Sequence, residues 1–200
     1  MTLFIGLEAP DFTSPAILPD GTMQQDFSLK NFRGDNACVV FFYALNFAQV
    51  DPTELIAINN RIKDFQQRNC SVVAVSIDSF LAHQNWRKIP VEKGGVGNLQ
   101  FPLVSDYTKL IAQGYEILVD NTYACRATFI LDRSGRIRHQ SMNDFPIGRN
   151  IDEIIRIVDA MDFHVNEDKL CPAGWNLGKA GIDANDDSAA AFMAQHAAEL

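Results

Sequence analysis

Basic residues are in short supply. Seventeen lysines and arginines face 25 aspartates and glutamates, for a net charge of −8 and a pI of about 4.9. Such a chain offers no electropositive footprint to a phosphate backbone or an anionic bilayer, so neither nucleic acid nor a membrane is an expected partner. Long hydrophobic runs are also missing. The longest is the nine residues from Ala37 to Leu45, where a membrane span needs about 20. No lysine or arginine precedes Lys30, so the start lacks the charged region of a secretory signal, and the expected compartment is the cytoplasm. Cysteine is sparse too: Cys38, Cys70, Cys125 and Cys171 form no CxxC and no Cys/His pair at ligand spacing. No structural metal or cofactor is therefore expected, and in a reducing compartment such thiols are usually buried packing residues. Internal repeats are absent, and the one low-complexity feature is the alanine cluster near the end.

What is present is an ordinary globular balance, 47% hydrophobic and 21% charged over 200 residues, enough to bury a core and too apolar for disorder. Ala37 to Tyr43 is continuous, β-branched and aromatic, which predicts a strand buried on both faces. A helix is expected from Pro52 to about Gln67, with Leu55, Ile58, Ile62 and Phe65 on one face. Ser71 to Ile77 predicts a second buried strand, so the succession implies a right-handed parallel crossover and an α/β fold. Asp132-Arg133-Ser134-Gly135 separates two strand-like runs and predicts a hairpin. Asn150, with Glu153 three residues on, opens a further helix whose stripe of Ile151, Ile154, Ile155, Val158 and Met161 would cover a sheet face. After Cys171 the chain turns polar. The expected division is a domain over 1–165 and a C-terminal arm over 166–200, whose helix must dock through Phe192 and Met193.

Several short stretches point more narrowly. They are Ala9-Pro10-Asp11-Phe12, Val39 to Tyr43, Pro52-Thr53-Glu54, Gly94-Gly95-Val96-Gly97, Arg126 within ACRATFILD, Phe145 to Arg149, and Cys171-Pro172-Ala173-Gly174-Trp175. In this order, across roughly residues 5 to 178, they resemble the peroxiredoxins, and most nearly the typical two-cysteine group that includes the bacterial alkyl hydroperoxide reductase C proteins and the thioredoxin peroxidases. The resemblance implies a thioredoxin-like α/β fold and thiol-dependent reduction of hydrogen peroxide and alkyl hydroperoxides. It also implies thioredoxin or a dedicated reductase as electron donor, and homodimers joined into a ring, commonly a decamer.

The family's active segment reads proline, three residues, threonine, two residues, cysteine. Here those positions hold Ala44, Ala48 and Asp51. By resemblance the proline shields the thiolate, the threonine hydrogen-bonds the peroxide and the cysteine is the nucleophile. All three have changed, and a carboxylate has neither the soft nucleophilicity nor the sulfenic state of a thiolate. The expectation is a chain disabled as a peroxidase. The alternative function is non-enzymatic, an oligomeric holdase or assembly partner. By the same resemblance Arg126 is the arginine that lowers the thiolate pKa, Glu54 and Arg149 hold it, and Cys171 stands at the resolving position.

Two readings of Asp51 stand side by side. Asp51-Pro52-Thr53-Glu54 has the composition of a helix start, with Asp51 as N-cap. Alternatively, a carboxylate beside Arg126 has two oxygens and one negative charge, like a cysteine oxidised to sulfinate. Cys38 and Cys125 are read as core and Cys70 as packing at a helix end. The loop Gly94 to Gly97 matches a family loop that slows local unfolding, and Ala191-Phe192 replaces the tyrosine and phenylalanine that usually accompany it. His83, His139, His164 and His196 are read as solvent-facing or packing residues.

Overall fold

The computed structural model describes residues 3–200. The strands are β1 (Thr13–Ile17), β2 (Met23–Ser28), β3 (Ala37–Phe42), β4 (Cys70–Ser76), β5 (Leu103–Ser105), β6 (Leu118–Val119), β7 (Tyr123–Ala124), β8 (Arg126–Leu131) and β9 (Ile137–Asn143). The helices are α1 (Leu29–Arg33), α2 (Asp51–Asn60), α3 (Ile62–Gln67), α4 (Phe80–Lys88), α5 (Leu110–Gly114), α6 (Ile151–Glu167) and α7 (Asp186–His196). Seven strands form one sheet in the order β2-β1-β5-β4-β3-β8-β9, and β6 pairs with β7 in a separate ribbon. Strands β3, β4 and β5 run parallel, while β8 lies antiparallel to β3 and β9 antiparallel to β8. This is the mixed α/β arrangement of a thioredoxin-like fold.

The apolar run ACVVFF became β3 because every one of its residues is buried, as a strand covered on both faces requires. The hairpin formed where the turn residues placed it, with Gly135 donating to Asp132 O at 2.9 Å and β8 pairing with β9. The helix expected over 52–67 is interrupted. Arg61 leaves helical geometry at φ −110° and ψ 9°, and its N–H bonds Ile58 O at 3.0 Å in a tighter turn. The preceding Asn59 directs its side chain outward to accept from Gln100 N at 2.7 Å. Asparagine is a weak helix former, and a tertiary partner overrides the helical period here. Cys70 opens β4 instead of ending a helix.

The register of β3 against β8 positions the site. Cys38 pairs with Leu131 and Phe41 with Thr128, so two residues further along both strands Tyr43 comes level with Arg126. The chain leaving the carboxyl end of β3 then returns through α2, which puts the start of that helix over the start of β8. In α/β sheets, binding sites collect at this edge. Below it lies an aromatic cluster in which the Phe129 ring meets Phe4, Phe42 and Tyr115 at centroid distances of 6.1, 5.9 and 4.8 Å.

By contact density the chain divides into two compact units, Met1–Ile151 and Asp152–Leu200. This division and the expected boundary near residue 165 differ by the length of α6. In the second unit Asn185 caps α7 by accepting from Ser188 N at 2.8 Å, and Leu170 and Ile182 exchange backbone hydrogen bonds. The expected docking of α7 through Met193 does not occur. That side chain is 54% exposed, whereas Phe192 is half-buried with its ring against His196.

Because Phe129 joins three other rings, Phe129→Ala is expected to cost about 3–5 kcal/mol, and Tyr107→Ala, at a side chain 73% exposed, less than about 0.5 kcal/mol. Denaturant unfolding at fixed protein concentration measures both.

Candidate functional site

The segment from Ala44 to Val50 is the loop between β3 and α2, and it delivers the chain to the head of that helix. Pro52 sits in the first turn of α2, where its missing N–H leaves nothing unsatisfied. The N-cap is Val50, in helical geometry and without a side-chain cap bond. The expectation that Asp51 caps the helix is therefore not met: Asp51 is the first helical residue, and its carboxylate faces away from the helix's own N–H groups. One oxygen accepts from Leu45 N at 3.2 Å and the other from Arg126 Nη1. An opposing guanidinium outcompetes backbone amides that water can satisfy.

Four charged side chains meet here. Arg126 Nη1 also donates to Glu54 Oε2, and Glu54 in turn holds Arg149. Its Oε2 accepts from Arg149 Nη2 at 2.7 Å, while its Oε1 accepts from Arg149 N at 2.7 Å and Nε at 3.0 Å. Arg149 Nη1 donates to Ala127 O at 2.7 Å and Thr128 Oγ1 at 3.2 Å, and its guanidinium stacks on the Phe41 ring. Arg126 Nη2 donates to Phe145 O at 3.0 Å. All four side chains are at most 3% exposed, and two negative charges balance two positive ones. Arg126 Nε alone has no partner.

The two carboxylates differ. Burial pushes Asp51 above its ordinary value, and the Leu45 amide and Arg126 offset this only in part, with the Glu54 charge adding to the rise. Burial acts on Glu54 as well, but the hydrogen bonds and charge of Arg149 outweigh it and hold that carboxyl below its ordinary value. Arg149 itself is lowered by burial, against the pull of Glu54.

Ala44 is buried and Ala48 half-buried on the loop leading to Asp51. Cys171 lies in the second unit, half-buried, with Sγ 3.6 Å from Ala160 O; burial raises its thiol and Arg156 opposes the rise. Cys38 is buried, and burial pushes its thiol well up. Cys125 is half-buried where core was expected, with Sγ 3.9 Å from Asn143 O and its thiol raised by burial. Strand alternation turns it away from Arg126 toward β9. Among the described residues, no group of three or more His, Cys, Asp or Glu side chains is placed to hold a metal ion, and no helix is long and apolar enough to cross a membrane. The sequence pattern gave no sign of His83, which is fully buried beside Tyr43 and Asn46. Its partners lie about 40 positions away in sequence, so no local signal marked it.

The opposite shifts of the two carboxyls have opposite consequences for stability. Asp51, raised when folded, contributes stability that is full below its unfolded pKa and is lost as pH rises through its folded one. Glu54, lowered, contributes above its unfolded value and loses stability as pH falls through its folded one. Side-chain carboxyl titration by carbon NMR is expected to place the Asp51 midpoint above 3.8 and that of Glu54 below 4.5.

The chain is similar to known proteins along most of its length. Residues 5–140 match the family model described as AhpC/TSA family. Alkyl hydroperoxide reductase C of Helicobacter pylori is 40% identical over 192 residues, covering 96% of this chain and 97% of that protein. Peroxiredoxin-1 of Gallus gallus is 43% identical over 180 residues, covering 90% and 89%. The crystal structure of reduced 2-Cys peroxiredoxin from Plasmodium vivax superposes with a TM-score of 0.93 at 35% identity, covering 96% of this chain and all of that one. The chain belongs to the AhpC/TSA family, as a peroxiredoxin of the typical two-cysteine type that carries aspartate at position 51.

Proposed function

We propose that this peroxiredoxin does not turn over peroxide and instead serves as a permanently folded, oligomeric holdase or assembly subunit in the cytoplasm. One observation carries the reading: the side chain at position 51 is a buried carboxylate paired with Arg126. Reducing a peroxide takes an electron pair from sulfur into the O–O bond, with cleavage to a sulfenic acid and water or alcohol. A carboxylate oxygen has no comparable oxidised state to reach. Substitute thiols are poorly suited, since burial raises Cys38, Cys125 and Cys171 and leaves little thiolate near neutrality. Without a sulfenic acid at position 51 no disulfide to Cys171 can form, and thioredoxin or a dedicated reductase has no substrate here.

The carboxylate supplies what an oxidised sulfur would, two acceptor oxygens and one negative charge facing Arg126. It therefore holds the first turn of α2 in place without chemistry. The loop beside it turns Leu45 and Phe47 outward, 38% and 56% exposed, and apolar surface of this kind suits a contact between copies of the chain. We infer dimers joined into a ring, most simply a decamer, by that permanently formed contact.

In an assay coupled through thioredoxin, thioredoxin reductase and NADPH, hydrogen peroxide consumption is expected to be no faster than that of the free thiols alone. Turnover abolished by Cys125→Ser or Cys70→Ser would overturn this. Asp51→Cys is expected to restore only part of a family-like rate, with Ala48→Thr adding about 10²-fold through the missing hydrogen bond. Light scattering before and after peroxide is expected to give one ring size, and a dimer in both conditions would refute the assembly.

A further inference from the structure

Beside the charged quartet lies a second buried polar cluster, and it carries no net charge of its own. Tyr43, Asn46 and His83 are 0%, 6% and 0% exposed. His83 Nε2 lies 3.2 Å from Val104 O, an atom that can only accept, so Nε2 bears the proton. Burial pushes the imidazole down to about 4, against the charge of Asp78, so the ring is neutral near pH 7 and Nδ1 has a free lone pair. Asn46 Nδ2, which can only donate, lies 3.1 Å from Nδ1; Tyr43 OH lies 3.3 Å from the same nitrogen but gives its single proton to the closer Asn46 Oδ1, at 2.9 Å. The result is a one-way chain from Tyr43 through Asn46 and His83 to Val104.

Asn46 belongs to the loop that precedes Asp51, between exposed Leu45 and exposed Phe47. Its own backbone N–H donates to Asp78 Oδ2 at 2.7 Å, an oxygen that also accepts from Ser76 Oγ at 2.9 Å. Next to it, Leu45 N makes the hydrogen bond to Asp51, and Phe47 is held at φ 64°, a conformation that a bulky residue keeps only when its surroundings impose it.

We propose that His83 is a positioning residue for the site: by accepting from Asn46 through Nδ1 it holds the 44–50 loop closed and aims the Leu45 N–H at the side chain of residue 51. The relay itself makes no bond to the side chain of residue 51, so it operates whether residue 51 is a carboxylate or a thiol, and it does not depend on the function proposed above.

Two substitutions separate the ends of the ring. Asn keeps an acceptor at the position of Nδ1 and loses the donor to Val104. Gln keeps a donor at the position of Nε2 and has no acceptor toward Asn46. Measured by amide hydrogen exchange on the full chain, His83→Gln is expected to speed exchange at Leu45 and Asn46 roughly tenfold, the scale set by one lost buried hydrogen bond. His83→Asn is expected to stay within about twofold of the parent by the same measure. The Asp51 carboxyl midpoint should rise in His83→Gln, which loses the Leu45 amide, and not in His83→Asn. A residue that only fills space would make the smaller Asn the worse variant. That order, equal acceleration in both, or no acceleration in either overturns the proposal. If His83→Gln does not fold, Asn46→Ala removes the same bond from the loop side, and unchanged Leu45 exchange in it overturns the proposal equally.

Discussion

Arg126 is the residue on which the site depends, because a single nitrogen of its guanidinium holds two carboxylates from one face of α2, Asp51 and Glu54. Taking four charges out of water is expensive, and close pairing repays the cost only when geometry and counting are both right. Here both conditions hold. Arg149 supplies the second positive charge, spreads its donors over Glu54, Ala127 and Thr128, and rests on an aromatic face. Removing any one member would leave an uncompensated charge in a place that water does not reach, so the four residues constrain one another.

Aspartate fits opposite Arg126 because of that arithmetic. The arginine needs an anion opposite it, and a thiolate, an oxidised sulfur or a carboxylate each provides one. With this quartet in place the fold matches that of the reduced 2-Cys peroxiredoxin of Plasmodium vivax. A carboxylate oxygen at position 51 has none of the redox chemistry of sulfur. Ala44 and Ala48 sit on the loop leading to Asp51, the first buried and the second half-buried. Electrostatic balance at this site asks for an anion opposite Arg126, whichever atom carries it.

Two different kinds of interaction hold the loop between β3 and α2. From the side of β8 it is tied by charge through Asp51. From the side of α4 and β5 it is tied by the neutral side-chain relay of Asn46 and His83 and by the Asn46 N–H on the Asp78 carboxylate. A charged tie weakens when either partner changes protonation, whereas a relay through a histidine pushed down to about 4 keeps its polarity near neutral pH. The left-handed backbone at Phe47 is sustained between these two anchors.

The linear sequence determined the local and the periodic features. The apolar run at Ala37, the turn at Asp132 to Gly135 and the proline at the head of α2 each act over a few residues, so composition alone placed the strand, the hairpin and the helix start. Ordered family motifs extended that reading to Arg126, Glu54 and Arg149. Tertiary structure alone decided which way the Asp51 carboxylate turns, because a cap and an ion pair use the same side chain and the choice rests on an arginine 75 positions away. It likewise decided the break at Arg61, which lies two positions past the contact of Asn59 with residue 100, and the surroundings of His83, whose partners come from the end of β3, the loop after it and β5. A hydrogen bond or ion pair between segments has no period along the chain, so only the packed sheet, by bringing strand ends level, makes it visible.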